Sequence, residues 1–492
     1  MDLDNLASLD YFYPEIILAG TILLVIFLDL VIKNKRIIGA LSILGCLASL
    51  GATLQLYGGP SGFLFSRMMA LDHFSLFFKI VALTATMLVL WMSFSSREVA
   101  SLHQGEYATI LLSSTLGMFF MASATNLLMA YLSLEMVSIT SYILTGFLPR
   151  NRRSSEAALK YLIYGGVASG AMIYGMSWIF GMTGSLDYSQ IHAALFQGQP
   201  NQFALFVSFV LILAGFGYKI VFVPFHMWSP DVYQGAPTPF TAFLSVASNA
   251  AGVAILLRFF FPGVSQLGPD GNWHFLSGVE WPQFLLVVSM VTMTLGNLSA
   301  LGQQNLKRML AYSGIAHAGY ILMGLVVLNT EGLQAMLFYI VVYLIMNLGA
   351  FLVVVLVANA TGKEEIEGYR GLAWRGSAVP AIAMAIFLFS LTGLPPLAGF
   401  VGKFFLFAAV IKQEFYFLAL VAVANSVISL YYYARVVKVM FLDFPEASDG
   451  RIELNLSAAA LLCLLSGMTL AFGIYWGPLV AFTSQSLQFF TK

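Results

Sequence analysis

Residues 214–237 read AGFGYKIVFVPFHMWSPDVYQGAP, an apolar stretch in which Pro224 follows closely on a single lysine, Lys219. Proline lacks the backbone N–H that a helix needs and clashes with the preceding turn, so a helix here is expected to break. A second stretch, LTGLPPLAGFVGKF at residues 391–404, repeats the design with a Pro-Pro pair ahead of Lys403. Because interrupted backbone at membrane depth persists only inside protein or against water, both breaks point to a transport site.

The composition around these stretches places the chain in a lipid bilayer. Of its 492 residues 59% are hydrophobic and 9% are charged, whereas a soluble domain carries about 25% charged residues. This composition excludes a water-soluble fold.

The charge balance gives no sign of a nucleic-acid partner. Lys plus Arg and Asp plus Glu number 23 each, so there is no basic excess.

Hydropathy, with Gly, Pro and charges as boundaries, predicts an all-α polytopic membrane protein of about fourteen transmembrane helices, since about twenty apolar residues cross the hydrocarbon. The predicted spans lie near residues 14–32, 37–57, 72–96, 106–123, 126–148, 156–181, 203–229, 239–260, 283–301, 307–328, 332–358, 377–412, 415–441 and 456–482. The seventh and the twelfth of these spans contain the two predicted breaks.

Short internal matches favour two inverted five-helix repeats. AGFxxK occurs at Ala214 and again at Ala398, and the LKY that begins at Leu159 resembles the LKR that begins at Leu306. We therefore predict four parts of the chain. They are an N-terminal three-helix segment (1–105), a first antiporter-like repeat of helices 4–8 (106–260), a second of helices 9–13 (283–441) and a C-terminal helix (456–482).

The distribution of basic residues predicts the orientation. Alternate loops, beginning with the first, carry most of the Lys and Arg, and these residues are Lys33, Lys35, Arg36, Arg97, Arg150, Arg152, Arg153, Lys307, Arg308, Lys363, Arg370, Arg375, Lys438 and Arg451. By the positive-inside rule these loops face the cytoplasm, and both termini lie on the outer, periplasmic side of a bacterial inner membrane. The N-terminus lacks the pattern of a secretory signal, so we expect the first helix to stay as an anchor.

Three ionisable residues are predicted to lie deep in the membrane, where an ionised side chain costs ~3 kcal/mol or more and usually marks an ion path. Glu135 falls at the middle of the fifth span, and Lys219 and Lys403 lie beside the two breaks. The alternative for Glu135 is a protonated side chain in a helix-packing hydrogen bond. The alternative for the two lysines is snorkelling toward an interface.

Three further residues are candidates with a more ordinary alternative. Lys160 and Lys307 lie within a turn or two of the cytoplasmic helix ends, where snorkelling also explains a lysine. His317 in the tenth span could relay protons because its ordinary pKa is near neutrality, but it could equally be a satisfied core histidine.

These residue types suit proton transfer. Removing a lysine from water disfavours its charged form and a nearby carboxylate restores it, so movement of Glu135 relative to Lys219 would capture or release a proton. Polar residues that could line a water chain between such groups, or simply bond neighbouring helices, are Ser138, Thr140, Ser141, Asn249, Asn297, Tyr343 and Asn347.

Residues 223–248, VPFHMWSPDVYQGAPTPFTAFLSVAS, closely resemble the N subunit of bacterial respiratory complex I, called subunit 2 in mitochondria and chloroplasts. AALKYLIYGG at 157–166 and the stretch at 391–404 extend the resemblance over nearly the whole chain. It implies an antiporter-like fold in the membrane arm of NADH:quinone oxidoreductase. The resemblance also implies which residues are functional. The Glu of helix five corresponds to Glu135, and the Lys of helix seven to Lys219. The pair in helix ten corresponds to Lys307 and His317, and the exit-side Lys of helix twelve to Lys403.

One position departs from that family. Its members usually carry a central lysine in helix eight, in a stretch resembling SVASK, whereas residues 245–249 here read SVASN and end in Asn249. Asparagine cannot be protonated, so a complete lysine relay is not carried over at this point. Either the path crosses this point through water and neighbouring groups, or this subunit conducts protons differently.

The resemblance implies a proton-translocating subunit driven by quinone reduction in partner subunits. We expect no cofactor on this chain: Cys46 and Cys463 form no ligand spacing, and NADH, FMN, iron–sulfur clusters and quinone are expected on partner chains. Expected partners are K-like and M-like membrane subunits, the peripheral arm and the lipid bilayer. The alternatives are a component of a multisubunit Na⁺/H⁺ antiporter that is not driven by redox chemistry, and a scaffold whose channel is inactive.

Overall fold

The computed structural model describes residues 3–99, 103–198, 200–269, 272–275, 281–376, 378–445, 452 and 454–488. The α-helices of these residues are α1 (Tyr13–Val31), α2 (Lys35–Leu56), α3 (His73–Ser93), α4 (Gln104–Ser123), α5 (Leu127–Thr145), α6 (Arg152–Thr183), α7 (Tyr188–Gln197), α8 (Gln202–Ile220), α9 (Ser229–Gly235), α10 (Thr238–Phe243), α11 (Asn249–Val264), α12 (Trp281–Leu301), α13 (Leu306–Val326), α14 (Thr330–Thr361), α15 (Val379–Thr392), α16 (Ala398–Lys412), α17 (Tyr416–Phe441), α18 (Leu456–Ile474) and α19 (Gly477–Ser486). Arg451, one of the predicted cytoplasmic cations, lies outside the described residues.

Strands and irregular turns are few among the described residues. Two antiparallel hairpins pair β1 (Gly62–Leu64) with β2 (Met69–Leu71), and β3 (Ser265–Leu267) with β4 (Trp273–Phe275). Short 3₁₀ turns cover Ala7–Tyr11, Ile366–Tyr369 and Leu372–Trp374, and a π-helical turn, Leu244–Ser248, joins α10 to α11. The hairpins and turns lie in connections or at a helix junction, so helices carry the architecture.

The predicted all-α membrane fold of about fourteen spans is confirmed. Within the described residues, twelve helical spans are long and apolar enough to cross a membrane, and one of them is the continuous run Thr238–Val264 formed by α10, the π-helical turn and α11. The other two predicted spans are also helical. One is α4, whose 20 residues reach ~30 Å at 1.5 Å per residue, and the other is the interrupted pair α15 and α16.

Both predicted breaks are present. Helix α8 ends at Ile220, and Val221 takes a left-handed backbone with φ of 70° before the chain turns and resumes a helix at Ser229. Helix α15 ends at Thr392, and Gly393 takes a φ of 95°, a conformation that costs glycine nothing. A Cβ at Gly393 would also stand 3.0 Å from the Lys403 side chain, so the break and that lysine pack together.

The structure corrects two predicted spans. The seventh helix stops at Ile220 rather than near 229, because the turn around Pro224 cannot continue it. The last span, predicted as one helix over 456–482, is split into α18 and α19, and Pro478 begins the second piece. Proline disfavours a helical residue before it but suits the first turn of a new helix, which explains the split.

The central spans are α10 with α11, α13 and α14, which are almost entirely buried, whereas α1, α6 and α18 expose much of their surface. Helix α3 joins the N-terminal segment to this centre through two buried ion pairs, Lys79 with Glu15 at 2.5 Å and Arg258 with Asp72 at 2.5 Å. Removing one partner of a buried ion pair typically costs ~3–5 kcal/mol, so these pairs fix α3 in place. The boundaries proposed for the two repeats stay predictions.

The orientation of the termini also stays a prediction, and reporter fusions test it. We expect alkaline phosphatase fused after Lys492 to be active and a green fluorescent protein at the same position to stay dark, because the charge distribution places this end outside. Fusions in the loop near Arg150 serve as the control and should give the opposite pattern. A fluorescent fusion at the C-terminus would contradict the predicted orientation.

Candidate functional site

Lys219 lies in the last turn of α8, at the point where the helix is interrupted. Its side chain is 1% exposed, and its Nζ has no hydrogen-bond partner among the described residues. The negative end of the helix dipole favours a cation at this position, but by only ~0.3–2 kcal/mol. An ammonium group here therefore depends on charges elsewhere in the protein.

Glu135, half-buried on α5, is the carboxylate that acts on Lys219. The two are near enough for their charges to interact, yet no oxygen of Glu135 comes within 4.0 Å of the Lys219 Nζ. The Oε1 of Glu135 is enclosed and, like the ammonium, lacks a hydrogen-bond partner in the described structure. The attraction between opposite charges falls with distance, so the separation of Glu135 and Lys219 influences which charge state Lys219 favours.

Lys160 lies at the surface end of α6 and joins an ion-pair cluster. Its Nζ contacts Asp231 at 2.7 Å and Glu156 at 2.9 Å, while Asp231 also accepts from Arg308 at 2.5 Å. Burial raises the pKa of Asp231, but the hydrogen bonds from Lys160 and Arg308 outweigh burial and hold the pKa below its usual 3.8. Asp231 belongs to α9, which follows the break, so this cluster ties the broken helix to α6 and α13.

A polar cleft opens beside this cluster. Its volume is about 170 Å³, and its walls are Arg153, Glu156, Ala157, Lys160, Asp231, Gln234 and Gly235. Because most of these side chains are charged or polar, the cleft is suited to water rather than to lipid.

Lys307, at the start of α13, is buried and paired. Its Nζ donates to the carbonyl of Ala236 at 2.8 Å and contacts Glu364 at 3.1 Å. The side chain is 1% exposed, whereas that of Lys160 is 40% exposed, so snorkelling does not describe Lys307. Lys160 and Lys307 thus have different acidic partners at the same end of the bundle.

His317 lies in the middle of α13 among tyrosines. Its Nδ1 is 2.7 Å from the hydroxyl of Tyr339 and its Nε2 is 3.3 Å from that of Tyr433, which also bonds Ser313. Both ring nitrogens of this buried histidine have partners, so the ring is held in one orientation.

Lys403 on α16 is buried but, unlike Lys219, has partners. Its Nζ donates to the carbonyl of Thr392 at 2.9 Å and to Ser426 at 3.1 Å, and it stands 4.4 Å from the ring centre of Tyr320. The Thr392 carbonyl is one of those left free at the end of α15. The second break therefore supplies an acceptor for the lysine beside it.

Between these groups lies a polar centre without a charge. Asn249 donates to the Ser245 carbonyl at 3.0 Å, and Asn347 donates to the Ser245 hydroxyl at 2.7 Å. A cavity of about 10 Å³, room for about one water molecule, touches Asn249 and Tyr343, and both keep an unpartnered oxygen in the described structure. This centre occupies the position at which the resemblance implies a lysine.

The structure thus brings the candidate residues into three groups. Glu135 and Lys219 form one group, His317 and Lys403 another, and Lys160 and Lys307 lie in the ion pairs at the end of the bundle. Sequence reasoning missed the acidic partners of the third group and the tyrosines around His317. No local pattern marks them, since their contacts join residues far apart in the chain. Those acids and tyrosines are Asp231, Glu364, Tyr339 and Tyr433.

The remaining candidates for a water chain are divided. Asn297 bonds Asn425 at 3.1 Å and Tyr432 at 2.9 Å, and thus fits interhelical packing. Thr140 and Ser141 bond carbonyls of their own helix. The Ser138 hydroxyl is enclosed and has no partner among the residues described, so it alone of these is free to bond water.

Comparison with known proteins gives a consistent result. Residues 124–429 match the family described as NADH:quinone oxidoreductase/Mrp antiporter, TM. The chain is 46% identical to NADH-quinone oxidoreductase subunit N of Anaeromyxobacter sp. (strain Fw109-5), over 99% of this chain and 98% of the relative. It is 45% identical to NADH-quinone oxidoreductase subunit N 2 of Chloroherpeton thalassium, over 97% of this chain and 94% of that relative.

Solved structures agree with these relatives. A chain of respiratory complex I from Thermus thermophilus with bound aureothin is 30% identical, with a TM-score of 0.78 over 95% of this chain and 98% of that one. A chain of the Mrp complex from Dietzia sp. DQ12-45-1b has a TM-score of 0.84 over 98% of each chain. At 22% identity the latter shows a shared fold alone.

The difference in burial between the two ion pairs predicts a difference in stability. We expect Glu364→Gln to destabilise the protein by about 1–3 kcal/mol, because Lys307 would keep a buried and poorly compensated charge. Glu156→Gln, at an exposed pair on one helix, should cost about 0.5 kcal/mol or less. Thermal inactivation of the detergent-solubilised complex compares the two variants, and equal inactivation temperatures would contradict the assignment.

Proposed function

This chain belongs to the subunit N family of NADH-quinone oxidoreductase, and we propose that it carries protons across the membrane through its buried ionisable residues. The observation that carries the proposal is Lys219, a buried lysine with no hydrogen-bond partner in the described structure and with Glu135 near enough for the two charges to interact. Structural lysines are paired, as Lys79 and Lys307 are here. An unpaired one fits a group that gains and loses a proton.

The first step uses the attraction between the two charges. While Glu135 stays near, its negative charge compensates the buried ammonium of Lys219, which takes a proton from the cytoplasmic side. When Glu135 moves away or is neutralised, the ammonium loses its compensation and gives up the proton. The free energy for this change comes from quinone reduction in partner subunits.

The later steps lead across the polar centre. The proton leaves Lys219 through water held at Asn249 and Tyr343, which lie between the first pair and His317. His317 and Lys403 receive it next, since Lys403 has two acceptors that stabilise its charged form. Release from Lys403 to the outer side completes the transfer. Lys160 and Lys307, held in ion pairs, position the broken helix at the intake end.

This proposal places the redox chemistry on partner chains. NADH, FMN, iron–sulfur clusters and quinone belong to the other subunits of the complex, and this chain contributes a proton path. K-like and M-like membrane subunits flank it in a bacterial inner membrane.

NADH-driven proton uptake by inverted membrane vesicles tests the proposal. We expect Lys219→Ala and Glu135→Gln to lower the number of protons moved per NADH oxidised, because each removes one charge of the pair. Lys412→Ala is the matched control, since this lysine is exposed at the end of α16 and its ion-pair partner is Glu331, which is not a candidate residue. All variants are compared at equal amounts of assembled complex, with and without a quinone-site inhibitor.

Two results would contradict the proposal. Normal proton uptake per NADH in both variants would support an inactive scaffold. Uptake that requires Na⁺ and proceeds without NADH would support a sodium/proton antiporter component.

A further inference from the structure

Protons from the cytoplasmic side must reach Lys219 and Glu135, which the surrounding helices enclose. The polar cleft at Lys160 and Asp231 lies between α6 and α9 and is open to water. A layer of aromatic side chains on α5, α6 and α8 and at the start of α9 lies beside the cleft and the Lys219–Glu135 pair.

The layer consists of three tyrosines and a tryptophan in direct contact. The ring of Tyr161 stacks on Trp228 at 4.2 Å, meets Tyr142 edge-on at 4.9 Å and lies 5.6 Å from Tyr218. Tyr161 directly follows Lys160 of the cleft, and Tyr218 directly precedes Lys219. The layer is therefore next to the cleft along α6, where Tyr161 lies one turn from Ala157, and next to the lysine along α8.

The hydroxyl groups of this layer converge on one small residue. A Cβ built on Gly165 of α6 would stand 1.9 Å from the hydroxyl oxygen of Tyr142 and 2.8 Å from that of Tyr218. Only a glycine leaves room for both hydroxyls at this place. The next residue, Gly166, faces open space, so its lack of a side chain has no such consequence.

These hydroxyls have polar neighbours, and water molecules would complete a path between them. The Tyr218 hydroxyl donates to the Tyr161 carbonyl at 3.0 Å, and its oxygen and that of Tyr142 both lie within 3 Å of a Cβ built on Gly165. Tyr142 follows Ser138 by four residues and Glu135 by seven on α5, so the three side chains share one face of that helix. The hydroxyl of Tyr161 is buried and has no hydrogen-bond partner within 3.5 Å among the described residues, so it is free to bond a water molecule.

We infer that Tyr142, Tyr161 and Tyr218, meeting at Gly165, form the route by which protons pass from the cleft to Lys219 and Glu135. In each hop the incoming proton bonds to a phenol oxygen while that phenol releases its own hydrogen to the next oxygen or to the lysine nitrogen. No tyrosinate accumulates, and rotation of each hydroxyl restores the start. This inference rests on the proposed function and adds the intake route to it.

Removal of tyrosine hydroxyl groups tests the route and leaves the aromatic rings in place. The double variant Tyr142→Phe/Tyr218→Phe and the single variant Gly165→Ala are assayed for protons taken up per NADH in inverted vesicles. Matched controls are Tyr164→Phe, an exposed tyrosine on the same helix, and Gly166→Ala. We expect uptake to fall toward that of Lys219→Ala in the first two variants and to stay at the wild-type level in both controls.

The outcomes separate this route from the proposed function. Normal uptake in the tyrosine and Gly165 variants, with Lys219→Ala deficient, would overturn the route and leave the function standing. Normal uptake in Lys219→Ala as well would overturn both. An equal loss in Gly165→Ala and Gly166→Ala would show that helix α6 tolerates no added methyl group, and would overturn the role assigned to Gly165.

Discussion

A charge buried in an apolar membrane protein must be compensated by nearby dipoles or opposite charges, and the arrangement of this protein follows from that requirement. The ammonium of Lys307 has Glu364, that of Lys403 has a free carbonyl and a hydroxyl, and that of Lys79 has Glu15. Lys219 alone of these four lysines has no partner in contact. Its charge state is therefore the one that a distant change can alter most easily.

The two helix breaks provide different environments for similar lysines. The second break gives Lys403 a carbonyl at 2.9 Å, so its charge is stabilised locally. The first break leaves Lys219 without such a bond and places Asp231 of α9 against Lys160 and Arg308 instead. The two breaks therefore differ in the hydrogen-bond partners that they offer to a buried lysine. The uncharged centre at Asn249 lies between the two lysines, so in the proposed path water and hydroxyls connect them.

The spans and both breaks could be predicted because apolar length and proline act locally, and the burial of Lys219 and Lys403 followed from their positions beside the breaks. The pairing of Lys307 with Glu364 could not, because those residues lie 57 positions apart. Nor could the tyrosines at Gly165, since tyrosines in apolar helices serve packing as readily as proton transfer. The split before Pro478 was available in the sequence and was missed. The functional roles of the buried residues stay predictions.

Replacement of Lys219 by arginine tests most directly whether this residue changes its charge. Arginine keeps a positive charge near Glu135 but does not release its proton under these conditions. We predict that Lys219→Arg assembles in normal amount and moves fewer protons per NADH in inverted vesicles than wild type, because the cation is retained and the proton release is lost. Proton uptake equal to that of wild type would show that a fixed charge suffices, and would contradict the account of Lys219 as a group that gains and loses a proton.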